Sequence, residues 1–197
     1  MSGVMDFYFD FISPFSYLAH TQLPDIAARH RRDIVYHPVE LSALKLDGGN
    51  TGPTTRDMPL KYRYSGTDMQ RWAGRYGVKI TRPTGHAKGS DRLNKGAFLA
   101  EDRGLTRDYV TAAWQRVWRD GGDMSDETLI GDVAVELGWD RDEFLAFIDS
   151  ADTEARYRAS TRAAHDRGVF GVPTMMIGDE MWWGNDRLDF MEEFLAG

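Results

Sequence analysis

The chain contains no cysteine. That absence removes disulfides, thiolate metal ligands and every cysteine nucleophile together, so any thiol chemistry would need a borrowed thiol. No unbroken apolar run approaches the roughly 20 residues a membrane-spanning helix requires, and no membrane partner is expected. Positive charge is in deficit: 24 Lys and Arg face 31 Asp and Glu, for a net charge of -7 at pH 7. Proteins that hold a polyanion by counterion release carry the opposite excess, so nucleic acid is not an expected partner either. The start, Met1-Ser2-Gly3-Val4-Met5-Asp6, lacks the basic opening and apolar stretch of a signal peptide, and a cytoplasmic location is the default expectation. Metal-type spacing is missing among His20, His30, His37, His86 and His165, and Gly48-Gly49-Asn50-Thr51-Gly52 lacks the Gly-Lys-Ser/Thr ending of a phosphate loop. Neither a metal site nor a catalytic histidine is expected.

What is present is a 197-residue chain, 42% hydrophobic and 28% charged, long enough for one full core with an elaboration. Asp6-Phe7-Tyr8-Phe9-Asp10-Phe11 alternates aromatic and polar residues and predicts a first strand. Ser13 and Pro14 then supply a helix cap and a first-turn proline, predicting a helix to about Arg29 with a kink or break at Pro24. Asp33 to Val39 is β-like again, and strand, helix, strand in so short a span implies a parallel right-handed unit. From about Ala43 to His165 the pattern is helical: Thr67 to Tyr76, Ser90 to Asp102, Thr106 to Arg119, Ser125 to Leu137, Arg141 to Ile148 and Thr153 to Arg167. Thr174 to Ile177 and Glu180 to Trp183 form a hairpin about Gly178-Asp179, and Asn185-Asp186-Arg187 would cap a last helix. This order, β-α-β, a helical block, then β-β-α, is that of an α/β thioredoxin-like fold with a large all-helical domain inserted between its halves. The expected division is 1–43 with 155–197 for the discontinuous sheet domain, and 44–154 for the insert.

Ser13-Pro14-Phe15-Ser16 occupies the place where a thioredoxin-like oxidoreductase keeps Cys-x-x-Cys, with serine at both cysteine positions. The place keeps its physics, because a helix N-terminus carries about half a positive charge and free amides that favour an anion such as a thiolate. Taken alone, Ser13 is an ordinary cap, Val172-Pro173 an ordinary turn, Asn185-Asp186 a cap pair, Lys61 a surface lysine and Asn50 a turn residue.

Phe9-Asp10-Phe11-Ile12-Ser13-Pro14-Phe15-Ser16-Tyr17-Leu18-Ala19 closely resembles the N-terminal signature of the 2-hydroxychromene-2-carboxylate isomerases, relatives of kappa-class glutathione transferases and DsbA-like oxidoreductases. Gly168-Val169-Phe170-Gly171-Val172-Pro173-Thr174 resembles that family's cis-proline loop, and Trp183-Gly184-Asn185-Asp186-Arg187-Leu188 its glutathione-binding end. The likeness extends over essentially the whole chain, with Asn50, Lys61 and Gln70-Arg71-Trp72-Ala73 in keeping with it. It implies a cytoplasmic, homodimeric, glutathione-dependent enzyme of aromatic hydrocarbon catabolism, converting 2-hydroxychromene-2-carboxylate or a close aromatic acid into trans-o-hydroxybenzylidenepyruvate. Ser13 would meet the glutathione sulfur as the catalytic residue. Val172, beside Pro173, would pair through its backbone with the cysteinyl unit. Asn185 and Asp186 would hold the γ-glutamyl end, and Asn50 and Lys61 would stand near the mouth of the site, with Arg63 a rival of Lys61 for a carboxylate. Two other activities fit the same residues: conjugation of glutathione to electrophiles, as in the kappa class, and noncatalytic glutathione binding. Met175-Met176 stands where more aromatic residues are expected, which bears on the substrate pocket.

Overall fold

The computed structural model describes residues 3–84 and 89–197, so His86 lies outside the described residues. Its elements are β1 (Gly3–Phe9), α1 (Pro14–Arg29), β2 (Arg32–Pro38), α2 (Leu41–Asp47), α3 (Pro59–Tyr76), α4 (Asp91–Asp102), α5 (Thr106–Trp114), α6 (Glu127–Glu136), α7 (Arg141–Ile148), α8 (Ala151–Asp166), β3 (Thr174–Ile177), β4 (Glu180–Trp183) and α9 (Leu188–Ala196). The sheet runs β2-β1-β3-β4, with β1 parallel to β2 and antiparallel to β3, and β3 antiparallel to β4. Among the described residues no strand lies between β2 and β3, and no helix is long and apolar enough to cross a membrane. The expected thioredoxin-like order is therefore present.

Strand alternation explains why β1 sits inside. Met5, Phe7 and Phe9 are fully buried on one face, where Phe9 and Phe11 close on Trp114 of α5 with ring centroids 5.2 and 5.0 Å apart. Tyr8, on the other face, joins Val39, Leu44, Ala164, Val169, Val172 and Met176 in a smaller cluster. The larger cluster runs without interruption from the sheet into α4, α5, α6 and α7. The seams expected at 43/44 and 154/155 fall inside α2 and α8.

Several boundaries differ from the sequence expectation, each for a physical reason. β1 ends at Phe9, because the Phe11 N–H is taken by the Asn94 side chain and its carbonyl by the Trp118 indole N–H. α1 continues through Pro24, so the break expected there is not seen. α3 begins at Pro59, two turns ahead of Thr67; only Met69 and Ala73 are buried along it, so its first turns have no apolar period to reveal them. α2 buries only Leu44 and was equally silent. α8 begins at Ala151, ahead of the expected Thr153, because Ser150 caps it and its Oγ accepts the Thr153 N–H. Asn185–Arg187 forms a tight 3-10 turn with no side-chain cap, so the capping role expected of these residues is replaced by other contacts, given below.

Candidate active site

The strand directions bring the sequence-predicted residues to one end of the sheet. β1 and β2 end side by side at Phe9 and Pro38, and the antiparallel pairing sets the start of β3 (Thr174) opposite Tyr8 and the end of β4 (Trp183) opposite Thr174. The segments leaving that edge are the turn into α1 with Ser13, the start of α2, the Val172-Pro173 turn and Gly184-Asn185-Asp186. The Val172-Pro173 bond is cis, and the Pro173 carbonyl accepts the Gly184 N–H at 2.8 Å, joining the last two segments.

Ser13 is buried at the N-cap of α1, where its Oγ accepts the Ser16 N–H at 3.1 Å. As that bond uses a lone pair, the hydroxyl proton stays available to donate. Ser16 Oγ, one turn on and fully buried, has no hydrogen-bond partner among the described residues. A helix start with free amides and the Ser13 hydroxyl suits an anion at this spot.

Beneath the turn is Asp10, buried and overlooked in the sequence. Its Oδ1 accepts the Ile12 N–H at 3.0 Å and the Asn94 amide at 2.9 Å, and its Oδ2 accepts the Leu41 N–H at 3.0 Å. Burial raises the pKa of this carboxyl, opposed by hydrogen bonds from Asn94, Ile12, Ser90 and Leu41. Asn94 also bonds the Phe11 N–H and Tyr157. One carboxyl thus ties the turn into α1 to α2 and to the helical block. The only hint in the sequence was an acidic residue set between Phe9 and Phe11.

Asn50 follows α2 and is exposed, with its N–H on the Lys45 carbonyl at 2.8 Å. Lys45, another residue missed in the sequence, is half-buried, and its pKa is lowered by burial and by the nearby Lys61 charge, against the opposing pull of Asp10. Arg63, the rival of Lys61, lines a cleft with Arg56, Tyr62 and Arg82. Val172 is buried, and Phe170 beside it stacks edge-on to exposed Trp183 at 5.1 Å. Asn185 is buried and turned to Tyr76, whose hydroxyl donates to the Asn185 carbonyl at 2.9 Å and receives its side-chain amide at 3.5 Å. Asp186 is paired with Arg187, and its side chain is 45% exposed. Among the described residues no group of three or more His, Asp or Glu side chains is placed to hold a metal.

A four-stranded sheet with a cis-proline turn facing a capped helix start, serines at the thiol positions and a helical insert define a cysteine-free member of the DsbA-like class. The DSBA-like thioredoxin domain family matches residues 4–196. The 2-hydroxychromene-2-carboxylate isomerase of Pseudomonas sp. (strain C18) is 43% identical over 98% of this chain and 91% of its own. A solved structure of 2-hydroxychromene-2-carboxylate isomerase superposes with a TM-score of 0.93 at 41% identity, covering 98% of this chain and 94% of the other. More distantly, glutathione S-transferase kappa 2 of Caenorhabditis elegans is 26% identical over 98% of this chain and 92% of its own. The chain belongs to the 2-hydroxychromene-2-carboxylate isomerase family within the DsbA-like thioredoxin domains.

Proposed function

We propose that the protein is a glutathione-dependent cis-trans isomerase that converts 2-hydroxychromene-2-carboxylate, or a close aromatic analogue, into trans-o-hydroxybenzylidenepyruvate. The observation that carries this reading is Ser13 at the N-cap of α1, the thiol position of the fold, in a chain with no cysteine of its own. The near full-length likeness to proteins named for this isomerase supports it. Glutathione supplies a thiol whose reversible addition to the ring-opened substrate makes the double bond a rotatable single bond, as nucleophilic catalysis requires. Ser13 donates its hydroxyl proton towards the sulfur, and the amides of the first α1 turn favour the ionised form, each unit of lowered thiol pKa being worth about 1.4 kcal/mol. Lys45, Lys61 and Asn50 face a carboxylate at the α2 side, Val172 offers its backbone, and Asp186 receives the γ-glutamyl ammonium. Asn185 contributes by fixing the turn through Tyr76. On the same reading the enzyme is a cytoplasmic homodimer.

The test is the stoichiometry of glutathione. Substoichiometric glutathione should support many turnovers and be recovered unmodified by mass spectrometry, whereas S-methylglutathione should bind and inhibit. Isomerisation at the same rate without thiol would end the glutathione reading. One-for-one loss of glutathione into a stable conjugate would establish the transferase reading that the kappa-class likeness favours. Glutathione affinity without turnover of any substrate would leave a binding module.

A further inference from the structure

A cleft of about 980 Å³ opens between α3 and the segment that carries Arg82. Four arginines line it, Arg56, Arg63, Arg71 and Arg82, together with Tyr62 and Gln70, and no Asp or Glu does. Arg92, Arg116, Arg141 and Arg156, by contrast, are each paired with a carboxylate. Among the described residues no carboxylate pairs with Arg63, Arg71 or Arg82. The Arg82 guanidinium instead lies over the Tyr62 ring, 4.2 Å from its centroid.

The cleft is built into the fold. Gln70 donates to the Ile80 carbonyl at 3.4 Å, spanning from α3 to the facing segment. Gly66 leaves room for the guanidinium, since a Cβ there would come within 2.9 Å of Arg82 Nη2. The Thr81 N–H bonds the Trp118 carbonyl at 2.6 Å, and the Trp118 indole donates to the Phe11 carbonyl at 2.7 Å. The cleft segment is thereby tied to the residue two places before Ser13. Several guanidinium forks without counter-charge, beside an aromatic ring and Met69, suit an organic anion with a flat apolar body better than a bare ion.

We propose that this cleft is a binding site for an aromatic carboxylate, with Arg63 and Arg82 meeting the carboxylate and Tyr62 flanking the ring. The choice of an aryl acid rests on the isomerase reading, while the charge and shape of the cleft stand apart from it.

Calorimetric titration of the full chain with 1-naphthoate, cyclohexanecarboxylate, sulfate and glutathione tests this without any turnover. The wild type should prefer 1-naphthoate over cyclohexanecarboxylate and sulfate. The double variant Arg63→Gln/Arg82→Gln should lose roughly tenfold or more in 1-naphthoate affinity, the scale of lost charge-assisted hydrogen bonds, with the glutathione affinity and unfolding midpoint unchanged. Equal 1-naphthoate affinity in wild type and variant overturns the proposal. So does sulfate binding as tightly as 1-naphthoate, which would make the cleft a general anion site. Loss of glutathione affinity in place of naphthoate affinity assigns the cleft to the thiol ligand and also overturns it. A chain that isomerises without thiol but still binds 1-naphthoate through Arg63 and Arg82 would sink the glutathione reading and leave this one standing.

Discussion

The two sides of the candidate site are built in opposite ways. On the α1 side the turn before Ser13 is tied down from within: the buried Asp10 carboxylate holds the Ile12 and Leu41 N–H groups, Asn94 holds Phe11 and Asp10, and Trp118 holds the Phe11 carbonyl. On the α3 side Lys61 and Arg63 are exposed on a helix that buries only Met69 and Ala73, and Arg82 is exposed on the segment facing it. Buried, satisfied polar networks fix geometry, because each broken bond leaves a desolvated group without a partner. Exposed cations can be exchanged at little cost to folding. The difference teaches that, on the proposed reading, the chemistry is anchored in the core and ligand choice is left to a surface that can change.

The largest effect should come from breaking the buried side. Asp10→Ala removes the acceptor of the part-buried Ile12 and Leu41 N–H groups and one of the two acceptors of the Asn94 amide, and a buried donor left unsatisfied costs about 1 to 3 kcal/mol. A loss of stability of several kcal/mol is expected in urea unfolding. Asp10→Asn keeps one carbonyl oxygen but presents an NH2 where the second carboxylate oxygen served as acceptor, so a smaller loss is expected. If Asp10→Ala unfolds like wild type, the network does not hold the turn.

Ser13→Ala keeps the fold and removes the donor. Turnover should fall roughly ten- to a thousandfold, the range for one oriented donor at an anion, with about 1 kcal/mol lost from the cap. Steady-state kinetics beside thermal unfolding separates the two, and full turnover in the alanine variant would take Ser13 out of the mechanism.

Acid should weaken the same core through His20. Burial holds its pKa down to about 3, from 6.5, and its ring contacts Thr111 at 2.9 Å. Because the folded pKa is lowered, the unfolded chain takes up a proton first. The stability is full above about pH 6.5 and drains as pH falls towards the folded value. At about two units below the ordinary pKa, roughly 2.7 kcal/mol should be gone. Urea midpoints across that range should fall less steeply in His20→Phe, and parallel slopes would show that another group carries the acid sensitivity.

How far the sequence could be read follows the same division. Phe7, Phe9 and Phe11 in alternation, Ser13 with Pro14, and the Gly178-Asp179 turn are local patterns with short-range physical causes, and from them the first strand, the closing hairpin and the helix that carries Ser13 were legible. The exposed first half of α3 and the one-residue anchor of α2 leave no hydrophobic period, so neither start was legible. Asp10, Lys45 and the Arg63–Arg82 cleft depend on partners far along the chain, as in Asp10 with Asn94, and no local pattern records such a meeting. Asn185 looked like a cap because Asn before a helix usually is one; Tyr76, from another helix, takes it instead.

The smallest effect is expected at Asp186, on the exposed side. Its carboxylate would be worth a few kcal/mol to a glutathione ammonium only if the pair were desolvated. The side chain is instead 45% exposed and already paired with Arg187. A ligand ammonium must compete with that guanidinium in water, where such pairs contribute about 1 kcal/mol or less. Asp186→Ala should therefore weaken glutathione binding by roughly fivefold at most, and Arg187→Gln, which frees the carboxylate, should strengthen it slightly. Isothermal titration of both variants decides the matter. A loss of about a hundredfold or more in Asp186→Ala would mean that the ligand buries this carboxylate and displaces Arg187, making the exposed side as firmly built in the complex as the Ser13 side already is without it.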